Sequence, residues 1–202
     1  VCPILTPNNV KIESLAYGCF NKDEDVRLKS SSGGIFSLIA EKVFENKGIV
    51  FGAGFDKEIN VAHMGIDDQE NINSLRKSKY VQSKLNKTFV EVRENLNKGK
   101  QVLFSGTPCQ VEGLYSYLGK EYENLFLVDF ICHGVPSPLV FDLYKKELEE
   151  RFQSKIQNYD FRNNYGILIN KVYNKQKLVS ILLENKLFYT SVEIKDKKNI
   201  TK

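Results

Sequence analysis

The sequence predicts an α/β protein: a mostly parallel sheet flanked by helices, with an irregular, strand-rich C-terminal tail. Short apolar runs alternate with segments whose apolar residues recur at helical spacing, and such alternation lays strands side by side with both sheet faces covered. The pattern changes beyond Gln157, where strand-like pieces are separated by polar turns rich in Asn and Lys.

Residues 12–20 mix apolar and small side chains without helical period and read as an edge strand, with Cys19 buried beside Phe20. A charged stretch over 21–29 follows. Ile35, Leu38, Ile39 and Val43 predict a helix over 35–46 that Lys47-Gly48 ends. Residues 49–55 form a Gly-interrupted strand, 60–66 pair with it antiparallel across a turn at 57–59, and 67–75 form a short helix. The segment 76–83, Arg76-Lys77-Ser78-Lys79-Tyr80-Val81-Gln82-Ser83, has no clean period and reads as a loop or short strand. Phe89, Val92 and Leu96 mark the next helix, closed by Lys98-Gly99-Lys100. Residues 102–104 form a buried strand, and Val111, Leu114, Tyr115 and Leu118 a helix ending at Gly119. The run 125–131 is the most apolar strand and is expected, with 102–104, at the centre of the sheet; a helix over 139–151 follows Pro136 and Pro138. Beyond about Tyr165 the apolar pattern breaks up, and the tail to Lys202 is expected to pack poorly on the core.

With 202 residues and 42% hydrophobic content, one sizeable core is affordable. A net charge of +4 from 29 basic and 25 acidic side chains is far from the concentrated basic face of a nucleic-acid binder. No apolar run reaches the roughly 18 residues that span a bilayer and no leader opens the chain, so the cytoplasm is the expected compartment. Four cysteines at long, irregular spacings do not form the disulfide framework of a small secreted domain. Metal binding, redox chemistry and burial remain.

Cys109, in Ser105-Gly106-Thr107-Pro108-Cys109-Gln110, lies between a strand and a helix, near the positive end of the helix, which suits a metal-binding or nucleophilic sulfur. Cys132, in Ile131-Cys132-His133-Gly134-Val135-Pro136, holds the equivalent place after the next strand. Parallel strands would bring both thiols to one carboxyl edge, where open α/β sheets place their ligands. The competing reading is two small buried hydrophobes. Ser30-Ser31-Ser32-Gly33-Gly34 before a helix has the hydroxyls and bare backbone of a phosphate cradle, and equally of ordinary capping. The segment 76–83 is basic with an embedded tyrosine, suited either to an anionic aromatic cofactor or to solvent. His63 reads as structural, and Glu149-Glu150 as a solvated helix face.

In order along the chain, Leu28-Lys29-Ser30-Ser31-Ser32-Gly33-Gly34-Ile35-Phe36, the segment 78–83, Phe104-Ser105-Gly106-Thr107-Pro108-Cys109-Gln110 and Ile131-Cys132-His133-Gly134-Val135-Pro136-Ser137 resemble the signature of the coenzyme F-420 hydrogenase/dehydrogenase beta-subunit family over about residues 1–165. The resemblance implies a flavoprotein holding FAD and a 4Fe-4S cluster that transfers electrons between iron–sulfur centres and a two-electron carrier such as coenzyme F-420. It implies Ser31, Ser32, Gly33, Gly34, Ser78, Lys79, Tyr80, Gln82 and Thr107 as cofactor-binding residues, with Cys109 and Cys132 as metal ligands. Cys2-Pro3 is similar to the closing Cys-Pro of a ferredoxin module, which makes Cys2 a ligand whose cluster partners lie upstream. Residues 1–11 are then the remnant of that module, 12–155 the flavin and iron–sulfur core, and 156–202 an incomplete C-terminal segment. A ferredoxin-like module or protein and a redox partner subunit are the implied partners. The family's further cysteines after Asp160-Phe161-Arg162 are missing, so the 4Fe-4S ligand set is incomplete here. Two competitors stand beside this reading: a thiol enzyme with Cys109 as nucleophile and His133 assisting, and a cofactor-less interaction module in polysaccharide biosynthesis.

Overall fold

The computed structural model describes residues 16–161 and 191–194. Alternation in the two inner strands builds the core. In β1 (Ile49–Phe55) Val50 faces one side and Phe51 the other; in β3 (Val102–Gly106) Leu103 joins Val50, while Val102 and Phe104 join Phe51. On the first face, α2 (Ile35–Glu45) and the 3-10 turn Gln69–Ser74 contribute Ala40, Val43 and Ile72. On the second, α3 (Thr88–Asn97) and α4 (Pro108–Leu118) contribute Val92, Leu96 and Leu114. Leu103, Phe104, Val92 and Leu114 are fully buried, each stabilising the fold by about 1.5–3 kcal/mol through apolar burial.

The sheet order is β2-β1-β3-β4, with β2 at Val61–Ile66 and β4 at Leu125–Asp129. β1 pairs with β3 and β3 with β4 in parallel, while β2 runs antiparallel to β1. The mostly parallel, helix-flanked sheet expected from the sequence is therefore the fold. A further cluster joins Val61 and Val81 to Phe141 and Leu148 of α5 (Pro138–Phe152) and to Ile156 and Tyr159 of β5 (Ile156–Asp160). β5 pairs antiparallel with β6 (Ser191–Ile194) in a second sheet.

Three expectations need correction, and one helix carried no signal. The strand at 125–131 stops at Asp129 and sits at an edge of the described sheet, with Phe126, Phe130 and Ile131 exposed; high apolar content did not place it centrally because the ladder offers it only β3 as a neighbour. Residues 16–20 form no strand, and Cys19 is exposed because no ladder covers it. The charged stretch holds a short helix, α1 (Glu24–Leu28), which buries nothing and so shows no apolar period; Asp23 caps it by accepting from Val26 N–H at 3.2 Å. Glu149 is not simply solvated: it pairs with Lys155 at 2.6 Å and accepts from the Ile156 N–H at 3.2 Å, tying α5 to β5. The expected loose packing beyond Tyr165 falls, apart from β6, outside the described residues.

Candidate functional site at the carboxyl edge of the sheet

The segment 76–83 is irregular, so its backbone and side-chain polar groups are not consumed by a ladder and must find partners elsewhere. They find one in each of the other motifs. The Ser78 N–H donates to Ser31 Oγ at 2.9 Å, the Gln82 N–H donates to the Pro136 carbonyl at 3.2 Å, and Ser83 Oγ accepts from Gln110 Nε2 at 2.9 Å. Arg76 adds a further tie, donating from Nε to Ser37 Oγ in the first turn of α2 at 3.0 Å.

The serine–glycine loop is shaped by its own neighbours. Gly34 is the N-cap of α2 at φ +76°, a conformation glycine adopts without steric penalty. A Cβ at Gly33 would meet the Cys19 carbonyl oxygen at 3.1 Å and Phe20 Cα at 3.3 Å. Gly33 thus permits close approach of the chain's own backbone, fastened by the Asn21 N–H donating to the Gly33 carbonyl at 2.7 Å. Ser32 is exposed and Ser31 half-buried. No side chain caps α2, so its first-turn N–H groups keep the polarity that attracts an anion.

Beside this junction opens a cleft of about 580 Å³, whose charged lining is Lys29, Arg76, Lys77 and Lys79 against Asp56 and Asp160; of the expected cofactor residues, Ser78 and Lys79 line it. Lys77 is paired with Asp160. Lys79 Nζ donates to the carbonyls of Arg76 at 2.6 Å and Ser74 at 3.2 Å. Burial lowers the Lys79 ammonium to about 8, with Lys77 pushing the same way and Asp160 opposing. Burial also lowers Arg76. The cleft's aromatic lining is Phe55, Tyr159 and Phe161, and the half-exposed Tyr80 ring meets Phe161 edge-on at 6.0 Å. Positive charge beside aromatic surface suits a phosphorylated, aromatic ligand.

The two thiols leave the sheet together. Gly106 and Asp129 are partners at the ends of parallel β3 and β4, and Cys109 and Cys132 each follow three residues later. Cys109 is exposed in the first turn of α4, and Cys132 is half-buried in the coil before α5; neither is a hydrophobe packed into the core. Thr107 and Gln110 form a reciprocal capping box at the start of α4, with the Thr107 N–H donating to Gln110 Oε1 at 3.0 Å. Thr107, expected at the cofactor, is thus engaged in capping, and its Oγ1 lies 3.1 Å from Cys109 Sγ. Cys132 Sγ accepts from the Gly134 N–H at 3.4 Å. His133 is exposed in the same coil. Among the described residues no group of three or more His, Cys, Asp or Glu is placed to hold a metal ion; Cys2 lies outside them.

His63, read from the sequence as structural, has distant side-chain and backbone partners that the sequence did not convey. It is buried in β2, stacked on Phe104 at 5.2 Å, with Nε2 3.0 Å from the Ser105 carbonyl and Nδ1 2.8 Å from Ser83 Oγ. Burial lowers its basicity, more than the Ser105 hydrogen bond raises it. A carbonyl only accepts, so Nε2 carries the proton and Nδ1 accepts from Ser83. The available signal was its place in β2 two residues after Val61, which sets the two on one face of the strand.

Residues 99–197 match the family described as the C terminus of the coenzyme F420 hydrogenase/dehydrogenase beta subunit. Comparison with curated protein sequences gives no match. Among solved structures, the chain resembles one from the xenon-derivatised F420-reducing [NiFe] hydrogenase complex of Methanosarcina barkeri, with a TM-score of 0.50 and 18% identity over 69% of this chain. The likeness covers 52% of that chain, so this chain spans about half its length. No helix among the described residues is long and apolar enough to cross a membrane.

Proposed function

The chain belongs, through residues 99–197, to the coenzyme F420 hydrogenase/dehydrogenase beta-subunit family, and from that premise we propose that it is a flavin- and iron–sulfur-dependent oxidoreductase. It passes electrons between iron–sulfur centres and a two-electron carrier, coenzyme F-420 or one like it. The observation that supports this best is the convergence of the other motifs on the segment 76–83 beside a cationic, aromatic-walled cleft.

The cleft fits the anionic, aromatic character of FAD. Lys79, Arg76 and the N–H groups at the start of α2 would hold its phosphates, with Ser31, Ser32, Gly33, Gly34, Ser78 and Gln82 shaping the approach and Tyr80 offering its ring. Bound there, the flavin supplies the exchange between single electrons and a hydride. The chain's part is to neutralise phosphate charge, orient the ring system and limit water.

For a 4Fe-4S cluster the fit is partial. Cys109 and Cys132 leave one sheet edge as two thiol ligands, but the described residues do not complete a set of four. No electron-transfer step is therefore assigned to a cluster held by this chain alone. Cys2 would serve a separate centre with an upstream ferredoxin-like module, and a partner subunit would deliver or receive electrons in the cytoplasm.

The test is anaerobic purification of the full-length gene product, followed by visible spectroscopy and assays for flavin, iron and sulfide. Stoichiometric flavin is expected. Protein free of flavin and iron that iodoacetamide nevertheless inactivates would replace this reading with a thiol enzyme acting through Cys109.

A further inference from the structure

His63 sits at the end of a continuous line of hydrogen bonds whose direction can be worked out atom by atom. The Ser105 carbonyl makes Nε2 a donor, at 3.0 Å, and therefore makes Nδ1 of the neutral imidazole an acceptor from the Ser83 hydroxyl, at 2.8 Å. Ser83 Oγ, having given its proton to His63, is free to accept from Gln110 Nε2, at 2.9 Å. That fixes the Gln110 amide, because its oxygen must then receive the Thr107 N–H, at 3.0 Å. Thr107 Oγ1 stands 3.1 Å from Cys109 Sγ. From His63 to the Thr107 N–H each group has one role consistent with the others, while between Thr107 Oγ1 and Cys109 Sγ either can donate; no described buried side-chain polar atom lacks a partner.

We propose that His63 is a positioning residue for Cys109. Its acceptor nitrogen orients Ser83, Ser83 orients Gln110, and Gln110 holds the Thr107 turn that presents the sulfur at the start of α4. The inference uses the proposed function only in taking Cys109 as the working sulfur. It is independent of which cofactor or substrate that sulfur meets. The line is buried at His63 and Ser83 and reaches the surface at Cys109; at the buried end an unmade hydrogen bond is costly, so that end holds one arrangement and passes its geometry outward.

The two imidazole nitrogens can be separated by substitution. Asn at this position places an amide oxygen near Nδ1 and can still accept from Ser83; Gln reaches toward Nε2 and keeps only the link to the Ser105 carbonyl; Phe keeps the ring alone. In the full chain at fixed pH, peptide-resolved alkylation by iodoacetamide is measured at Cys109, with Cys132 as the internal reference. Cys132 follows β4 and is not in the network. His63→Gln, His63→Phe and Ser83→Ala are expected to change the Cys109 rate by about fivefold or more, the lower end of usual coupling between sites, while His63→Asn stays near wild type and Cys132 is unchanged throughout. Circular dichroism melting identifies any variant that fails to fold, and Ser83→Ala, which removes one hydroxyl, keeps the comparison available in that event. Equal Cys109 rates in wild type and Ser83→Ala, or equal changes for the Asn and Gln variants, would overturn the proposal. Absence of flavin in the purified protein would instead count against the proposed function and leave this result standing.

Discussion

The backbone N–H of Ser78 donates to the side-chain oxygen of Ser31 across a separation of 47 residues. This bond joins the serine–glycine loop before α2 to the basic segment that lines the cleft. Ser31→Ala leaves that N–H to water, costing about 0.5–1.5 kcal/mol of stability. FAD retention is expected to fall by more than the change in melting temperature alone accounts for. Unaltered flavin affinity, measured by fluorescence titration, would separate the bond from the ligand site.

Gly34→Ala tests local conformation. The position has φ +76° and a new Cβ would stand 3.2 Å from Asn21 Cβ. A left-handed alanine costs about 1–2 kcal/mol, so chemical denaturation is expected to show a lower midpoint with an unchanged slope.

Lys79 gives a proton-linkage prediction. Its folded value of about 8 lies below the ordinary 10.5, so between these values the unfolded chain binds more protons and stability rises with pH across that window. An anion in the cleft favours the charged ammonium and raises Lys79 again. Titrating FAD near pH 8.5 in Tris and in HEPES is therefore expected to reveal proton uptake, lost in Lys79→Met.

His63 acts at the acid side. Its folded value is lowered from 6.5, chiefly by burial, so as pH falls below 6.5 toward that value the unfolded state takes up the proton first and stability is lost. The stability difference between wild type and His63→Asn is expected to shrink as pH falls from 7 to 5. A difference independent of pH would mean that the buried imidazole does not titrate with unfolding.

For the thiols, serine substitutions at the positions of Cys109 and Cys132 in a relative that carries the further cysteines are each expected to remove the same iron–sulfur absorbance and paramagnetic signal, since both leave the same sheet edge. Loss in only one variant would leave the other cysteine outside the cluster.

Periodicity in the sequence determined much of this molecule. The apolar spacing in 35–46 and the run at 49–55 required α2 and β1, and the strand–helix alternation required parallel pairing, because each element's burial pattern is set by neighbours a few residues away. The placement of Cys109 and Cys132 after consecutive strands was legible for the same reason. Tertiary structure decided what depends on distant partners. It put apolar β4 at an edge and exposed Cys19. It also made His63 the end of a line through Ser83 and Gln110, residues separated from each other by 27 positions. Hydrogen bonds of that reach depend on which loops the strand order brings side by side, and no local period records that order.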